Sequence, residues 1–187
     1  LQAAVSEGNL PLVKKLMEGK KIPLRTPDAV TGWPLLFYAI RYGHNSVVEF
    51  LLNEGHDERE ISRDFKGNTA LTIATAYNNE AAFRAYLARY PQIALVANKD
   101  GASPLLIAAQ KGLDTIITTL LELGADINTT DLEGSTPLHH AAAWGFFETV
   151  TLLMQRGASY TIKNKRGWTP LDYVYSVDVW DHLQECA

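Results

Sequence analysis

The chain has 187 residues, of which 47% are hydrophobic and 20% charged, and its formal net charge is −4. This composition provides enough apolar side chains for a continuous core, unlike that of a disordered chain, and its negative charge argues against nucleic acid as a partner. No apolar run reaches the roughly 18 residues of a membrane span, so we expect no direct membrane insertion. The single cysteine, Cys186, excludes an internal disulfide, which suits a protein of the reducing cytoplasm.

A short pattern recurs along the chain at a spacing near 33 residues. Its leading glycines are 35, 34, 33 and 33 residues apart: Gly32, Gly67, Gly101, Gly134 and Gly167. Each of the first four is followed after seven residues by an alanine and then, four residues later, by glycine or asparagine: Ala39 and Gly43, Ala74 and Asn78, Ala108 and Gly112, Ala141 and Gly145. Ala4 and Gly8 continue both columns toward the start of the chain, so the sequence predicts six units.

Each unit predicts two short helices joined by a tight turn. A hydroxyl residue two positions after the leading glycine can cap the first helix: Thr69, Ser103, Thr136 and Thr169. The column that contains Gly43 and Asn78 indicates a turn with positive φ, which glycine adopts best and asparagine next best. The second helices carry apolar pairs such as Ile116/Ile117 and Leu120/Leu121, whose spacing gives one apolar face that only stacking on neighbouring units can bury.

The run from Gly134 to Ala142 contains the motif T-P-L-H-x-A, and with the spacing of 33 residues the chain resembles the ankyrin-repeat family over its whole length. The resemblance implies an all-α solenoid of helix-turn-helix units joined by β-hairpin-like fingers, in one domain over 1–187. The first repeat would lack its leading turn and the last would be truncated, with a capping half-helix at 179–185. The repeats would span 1–31, 32–66, 67–100, 101–133, 134–166 and 167–187.

The predicted repeats differ in regularity. The fourth and fifth follow the family pattern closely, whereas the first three depart from it in lengthened loops at 55–65 and 89–100. The charged stretch Asp57-Glu58-Arg59-Glu60 and the break at Tyr90-Pro91 lie in these loops. We favour the interpretation that the loop lengths vary without a functional reason, which solenoids tolerate. The alternative is that these loops are fingers specific for a partner.

The sequence contains none of the motifs of metalloproteases, phosphate-binding loops or dinucleotide-binding folds. His139 and His140 are adjacent and would point about 100° apart on a helix, so they do not converge on one metal ion. The resemblance implies that His139 ties its finger to the helix and that Asn128, although part of a glycosylation sequon, pairs with loop backbone. We therefore expect no enzyme activity, no cofactor and no metal.

Members of the ankyrin family bind proteins through a concave surface made of finger tips and the exposed side of each first helix. The basic residues mapped there outnumber the acidic ones six to three, against the negative charge of the whole chain, which favours an acidic and apolar partner segment. Tyr77 and Trp144 are favoured as binding residues, and His140 is open to such a role, whereas Trp33 and Trp168 are more readily explained by packing on a neighbouring finger. The candidate binding residues are Trp33, Arg41, Tyr42, Phe65, Lys66, Tyr77, Lys99, Gln110, Lys111, His140, Trp144, Arg166 and Trp168.

Several segments outside the repeat pattern, above all Phe65-Lys66-Gly67-Asn68-Thr69 and Gly55-His56-Asp57, resemble the ankyrin-repeat subunits of the fungal target-of-rapamycin complex 2. This resemblance implies a non-catalytic scaffold or adaptor subunit of a signalling kinase complex, which docks on a larger subunit or recruits substrates. Such a subunit is cytoplasmic and reaches the plasma membrane peripherally, through its complex. The alternatives are an interaction module of a transcriptional regulator or assembly chaperone, or the regulatory arm of a larger enzyme.

Overall fold

The computed structural model describes residues 1–18, 24–58 and 60–173, and the regular secondary structure among them is entirely helical. The chain divides into two compact units, Leu1–Ile93 and Ala94–Ala187. The predicted capping segment 179–185 and Cys186 lie outside the described residues, as does Arg59 of the charged loop. The fold is thus the all-α array that the repeat pattern predicts.

The first unit contains three helix pairs among its described residues. Its helices are α1 (Gln2–Ser6), α2 (Leu10–Met17), α3 (Leu35–Arg41), α4 (Asn45–Asn53), α5 (Ala70–Ala76) and α6 (Glu80–Arg89), with a 3-10 helix at Pro91–Ile93. The first helices pack in the order α1, α3, α5, and the second helices pack in the order α2, α4, α6. Leu36, Phe37 and Leu51 are fully buried between these rows, because stacking covers the apolar face that one pair leaves exposed.

The second unit repeats this arrangement with two described helix pairs. Its helices are α7 (Pro104–Lys111), α8 (Asp114–Glu122), α9 (Pro137–Trp144) and α10 (Phe147–Gln155), with a 3-10 helix at Pro170–Tyr173. Helix α9 packs between α7 and the 3-10 helix, and α8 packs against α10. Leu105, Leu120 and Leu138 are fully buried, as the apolar spacing predicts.

The predicted turn column is confirmed. In each pair, one residue between the two helices has positive φ, from 51° at Asn78 to 75° at Gly43. These residues are Gly8, Gly43, Asn78, Gly112 and Gly145. These left-handed residues end the first helix and redirect the chain into the second, which is why glycine or asparagine stands at each of them.

The hydroxyl column caps three of the four helices for which it was predicted. Thr69, Ser103 and Thr136 each accept a hydrogen bond from the backbone N–H three residues further on. The prediction is wrong for Thr169, whose hydroxyl instead donates to Asp172 Oδ2 over 2.8 Å. The same carboxylate oxygen accepts from the Thr169 N–H over 2.7 Å, so Asp172 supplies the cap at the 3-10 helix.

The fingers are hairpin-like turns without β-strands in the part of the chain that the structure describes. In one of them the Asp131 N–H donates to the Ser135 carbonyl (3.1 Å), while Asp131 Oδ1 accepts from the N–H groups of Glu133 and Ser135 (2.9 Å each). The sequence reasoning missed this column of turn-forming side chains, although a fixed offset of three residues before the leading glycine could have revealed it. Its members are Asp64, Asn98, Asp131 and Asn164.

The lengthened loop after α4 folds inward around a buried carboxylate. Asp57 accepts hydrogen bonds from the Ser62 N–H (3.0 Å), the Ser62 hydroxyl (2.5 Å) and the Tyr86 hydroxyl (2.5 Å). His56 Nδ1 and Arg25 Nε lie 2.9 and 3.9 Å from Asp57 Oδ1. The loop therefore contributes its polar groups to the packing of the first unit.

Candidate functional site

Most of the candidate binding residues lie on the surface, where a partner can reach them. Trp33, Gln110 and His140 are half-buried and the other ten are exposed. Six of the thirteen belong to the first unit: Trp33, Arg41, Tyr42, Phe65, Lys66 and Tyr77. The remaining seven belong to the second unit: Lys99, Gln110, Lys111, His140, Trp144, Arg166 and Trp168.

Four of the residues in the first unit form one group, which we call the aromatic–arginine cluster: Trp33, Arg41, Tyr42 and Tyr77. Arg41 is the last residue of α3, Tyr42 is its C-cap and Tyr77 is the C-cap of α5. The Arg41 Cζ atom lies 5.5 Å from the centre of the Trp33 ring and 5.4 Å from the centres of both tyrosine rings. These distances are those of cation–π contacts, and α3 packing on α5 is what brings the residues of two repeats together.

Trp33 also holds two fingers together. Its indole Nε1 donates to Asp64 Oδ2 over 3.0 Å, which confirms that this tryptophan leans on the neighbouring finger. The Asp64 carboxylate is otherwise occupied within its own finger, where it accepts from the Lys66 N–H and from the backbone and side-chain N–H groups of Asn68 over 2.8–2.9 Å. Trp33 therefore has a structural role in addition to its place beside Arg41.

In the second unit, Trp144 is an exposed aromatic residue on α9, the first helix of its pair. It is the last residue of α9 and is 63% exposed. Lys111 is the last residue of α7, one repeat earlier, and Gln110 precedes it. The Trp144 side chain forms no ring–ring contact and no hydrogen bond with the other described residues, so no contact of these kinds accounts for an aromatic residue at this position.

The two adjacent histidines have different surroundings. His139 is buried, and its Nε2 lies 3.0 Å from the Trp168 carbonyl, whereas His140 is half-buried and its Nε2 lies 2.9 Å from Asp131 Oδ2. His140 is thus directed at its own finger. The prediction that the two rings do not converge is confirmed, and the described residues contain no group of three or more metal-ligating side chains.

The finger of the last described repeat presents Arg166 and Trp168. The Arg166 Cζ atom lies 5.8 Å from the centre of the Trp168 ring, which packs edge-on against Tyr173 at 5.2 Å and remains 42% exposed. On other fingers, Phe65, Lys66 and Lys99 are exposed. This ring contact is with the 3-10 helix of the same repeat, and the packing of Trp168 on a neighbouring finger stays a prediction.

Asn128 behaves as the resemblance implies. Its side-chain Oδ1 accepts a hydrogen bond from the Ser159 N–H over 2.9 Å, and so it links its own loop to the corresponding loop one repeat later. The side chain is engaged in this contact, which supports the structural interpretation of the sequon over glycosylation.

Comparison with known proteins identifies the class. A model of ankyrin repeats matches residues 1–92, 62–131 and 105–178, and the chain belongs to the ankyrin-repeat family. Ankyrin repeats indicate a module for protein–protein interaction. None of the helices in the described part of the chain is long and apolar enough to cross a membrane.

The chain is also similar to individual proteins that contain ankyrin repeats. The chain is similar to Target of rapamycin complex 2 subunit AVO2 of Saccharomyces cerevisiae, with 30% identity over 131 residues, which are 70% of this chain and 31% of that protein. It is also similar to Ankyrin repeat and SAM domain-containing protein 6 of Rattus norvegicus, with 34% identity over 79 residues, or 42% of this chain and 9% of that protein. The matched region therefore spans less than a third of either relative.

Proposed function

We propose that this chain is a non-catalytic interaction module of a signalling kinase complex like target-of-rapamycin complex 2, in which it binds a larger subunit or a substrate. The similarity to the complex 2 subunit over 70% of the chain supports the kind of assembly. The binding role rests on one observation, which is that exposed aromatic side chains lie at the C-terminal ends of the first helices α3, α5 and α9. They are Tyr42, Tyr77 and Trp144.

Exposed aromatic residues at these positions fit a binding role because the fold does not require them there. Tyr77 is 44% exposed and Trp144 is 63% exposed, so a large part of each ring contacts water in the unbound chain. Aromatic side chains of this kind are the usual anchors of protein interfaces, since they bury much apolar area at low entropic cost.

Charge supports a binding role for the exposed residues of each unit and suggests the chemistry of the partner. The basic candidates Arg41, Lys66, Lys99, Lys111 and Arg166 are all exposed, although the chain carries a net charge of −4. An extended segment with acidic and apolar residues would complement them. A subunit of this kind would be cytoplasmic and peripheral at the plasma membrane through its complex.

Affinity purification with lysine cross-linking tests the assembly. The tagged chain is recovered from the cells that encode it, and cross-linked peptides are identified by mass spectrometry. We expect subunits of a kinase complex linked to Lys66, Lys99 or Lys111, all of which are exposed. Recovery of chromatin factors or of assembly intermediates in their place would overturn the proposal.

The double variant Tyr77→Ala/Trp144→Ala tests the proposed aromatic anchor of each unit. We expect it to weaken binding of the recovered partner by at least about tenfold, because each anchor removed costs more than ~1 kcal/mol. Leu123→Ala is the matched control, since Leu123 is 46% exposed but lies at the end of the second helix α8. Thermal melting of each variant shows that the fold persists, and unchanged binding by the double variant would exclude Tyr77 and Trp144 as anchors.

A further inference from the structure

Arg41 has an unusual position for an exposed cation. Its guanidinium group lies beside three aromatic rings, at 5.4–5.5 Å from each ring centre. Among the described residues the guanidinium forms no ion pair and no hydrogen bond, and its contacts are those with the three rings. The positive charge is thus held by π systems, while the donors that usually face a carboxylate are unused.

The surrounding structure limits where Arg41 can move. Trp33 is half-buried and fixed by its bond to Asp64, and its ring meets those of Phe37 and Tyr77 edge-on at centroid distances of 6.1 Å. Arginine at an ordinary surface site loses side-chain entropy when it binds an anion. Here the rings have already restricted the side chain, so less entropy is lost on binding.

Asp64 is the carboxylate that contacts the aromatic–arginine cluster, and its oxygens already accept hydrogen bonds. Asp64 touches Trp33, and both of its carboxylate oxygens accept hydrogen bonds from Lys66, Asn68 or Trp33 itself. Asp64 therefore stabilises its finger and the tryptophan. No described carboxylate pairs with the Arg41 guanidinium, so its donors stay open to an acidic group of a partner.

We propose that the aromatic–arginine cluster is a receptor for one carboxylate side chain, Asp or Glu, in an extended segment of the protein partner. The inference rests on the proposed interaction function and specifies the chemistry at one point of the surface. The guanidinium donates two parallel hydrogen bonds to the carboxylate. The exposed parts of Tyr42 and Tyr77 contact the apolar residues on either side of it.

A carboxylate fits the cluster better than a phosphate does. Phosphorylated side chains carry close to two negative charges and are usually bound by several basic groups. Arg41 is the single cation of the cluster, and one guanidinium matches one carboxylate in charge and in planar geometry. Phosphopeptides are therefore the competing ligand that the experiment has to separate.

Four pools of synthetic peptides provide the test. All share random flanking positions and differ only in the central residue, which is glutamate, glutamine, phosphoserine or lysine. Retention of each pool on the immobilised full chain is measured at low salt. We expect the glutamate pool to be retained about tenfold more than the glutamine pool, which has the same shape without the charge. Equal retention of these two, or stronger retention of phosphoserine, would overturn the inference.

Variants then assign the effect to Arg41. Arg41→Gln should abolish the difference between the glutamate and glutamine pools, and Arg41→Lys should reduce it, because lysine keeps the charge but loses the planar pair of donors. Arg84→Gln is the matched control, since Arg84 is exposed in the same unit but pairs with Glu80 on the second helix α6. A preference for glutamate that survives in Arg41→Gln would contradict the assignment.

The peptide experiment and the cross-linking experiment can fail independently of each other. If cross-linking recovers a kinase complex but the pools show no preference for glutamate, the carboxylate receptor is wrong and the interaction function stands. If the pools show the preference and its dependence on Arg41 but no kinase complex is recovered, the receptor stands and the proposed assembly is wrong. The NMR signal of the Arg41 side-chain N–H group provides a local readout, and it should shift on addition of the glutamate pool.

Discussion

His139 donates a hydrogen bond from Nε2 to the backbone carbonyl oxygen of Trp168, 3.0 Å away, and thereby links the first turn of α9 to the finger of the next repeat. Its other nitrogen, Nδ1, accepts from the backbone N–H of Thr136 over 3.1 Å. Because a backbone N–H can only donate, both contacts require the neutral ring with its proton on Nε2.

This geometry predicts acid sensitivity at mildly acidic pH. Burial lowers the pKa of His139 below the ordinary value of 6.5, so the unfolded chain takes up a proton at a higher pH than the folded chain does. Stability is therefore lost as the pH falls below about 6.5, until the folded-state pKa is reached. Thermal melting should show a lower Tm at about pH 5.5 than at about pH 7.5.

His139→Gln isolates this contribution. The variant should be less stable than the wild type at neutral pH because it loses the two contacts, but it should lack the component of acid sensitivity that begins near pH 6.5. An equal drop in Tm over this range in both proteins would show that protonation of His139 is not the cause.

The buried carboxylate of Asp57 predicts a large loss of stability on substitution. Three hydrogen bonds converge on it, and the buried His56 ring, which has no well-aligned hydrogen-bond partner among the described residues, places Nδ1 2.9 Å from Asp57 Oδ1. Asp57→Asn should lower the free energy of unfolding by about 2–4 kcal/mol, because buried donors lose a charged acceptor. Asp57→Ala should cost about 1 kcal/mol more, since Asp57 has a φ of 67° that alanine adopts poorly.

Urea unfolding measures both Asp57 variants. Glu54→Gln serves as the control, because Glu54 is exposed and caps the end of α4 through its backbone. Burial alone would raise the pKa of Asp57, but contacts with His56, Ser62 and Tyr86 outweigh it and lower the pKa below 3.8. The network therefore contributes stability above that pH and loses it in stronger acid, so the stability advantage of the wild type over Asp57→Asn should shrink as the pH falls below about 3.8. An advantage that stays constant in stronger acid would contradict the account.

Stacking of the repeats predicts the cost of a cavity in the second unit. Leu120 is fully buried in α8, so Leu120→Ala should lower the free energy of unfolding by about 2–5 kcal/mol. Leu123→Ala removes the same atoms from a side chain that is 46% exposed and should cost less than about 1 kcal/mol. Equal effects in urea unfolding would mean that Leu120 is misplaced.

The local features of the fold were predictable because their signals lie within a few residues. Positive φ at Asn78 and Gly145 follows from residue type at a fixed offset, and caps such as Thr136 depend on the next three residues. Thr169 shows the limit of this reasoning, because a carboxylate three positions later competes for the same turn and takes over the cap.

Which side chains contact each other could not be predicted from the sequence, because these contacts join residues that are distant along the chain. Asp57 meets Tyr86 across 29 positions, and no spacing in the sequence indicates that contact. The sequence did predict Arg41 and Tyr77 as candidate binding residues, from their place in the repeat. It did not predict that both lie beside Trp33, since that depends on how α3 and α5 pack.

Two turn glycines should differ in their tolerance of alanine. Gly112 and Gly145 have φ of 67° and 70°, so alanine at either position costs about 1–2 kcal/mol of backbone strain. A Cβ atom at Gly145 would meet nothing within 4 Å, whereas one at Gly112 would lie 2.9 Å from the Phe146 ring and displace it. Gly112→Ala should therefore lower the midpoint of urea unfolding more than Gly145→Ala does. The reverse order would mean that the Phe146 ring does not cover the turn after α7, and with it the packing between these two repeats would need revision.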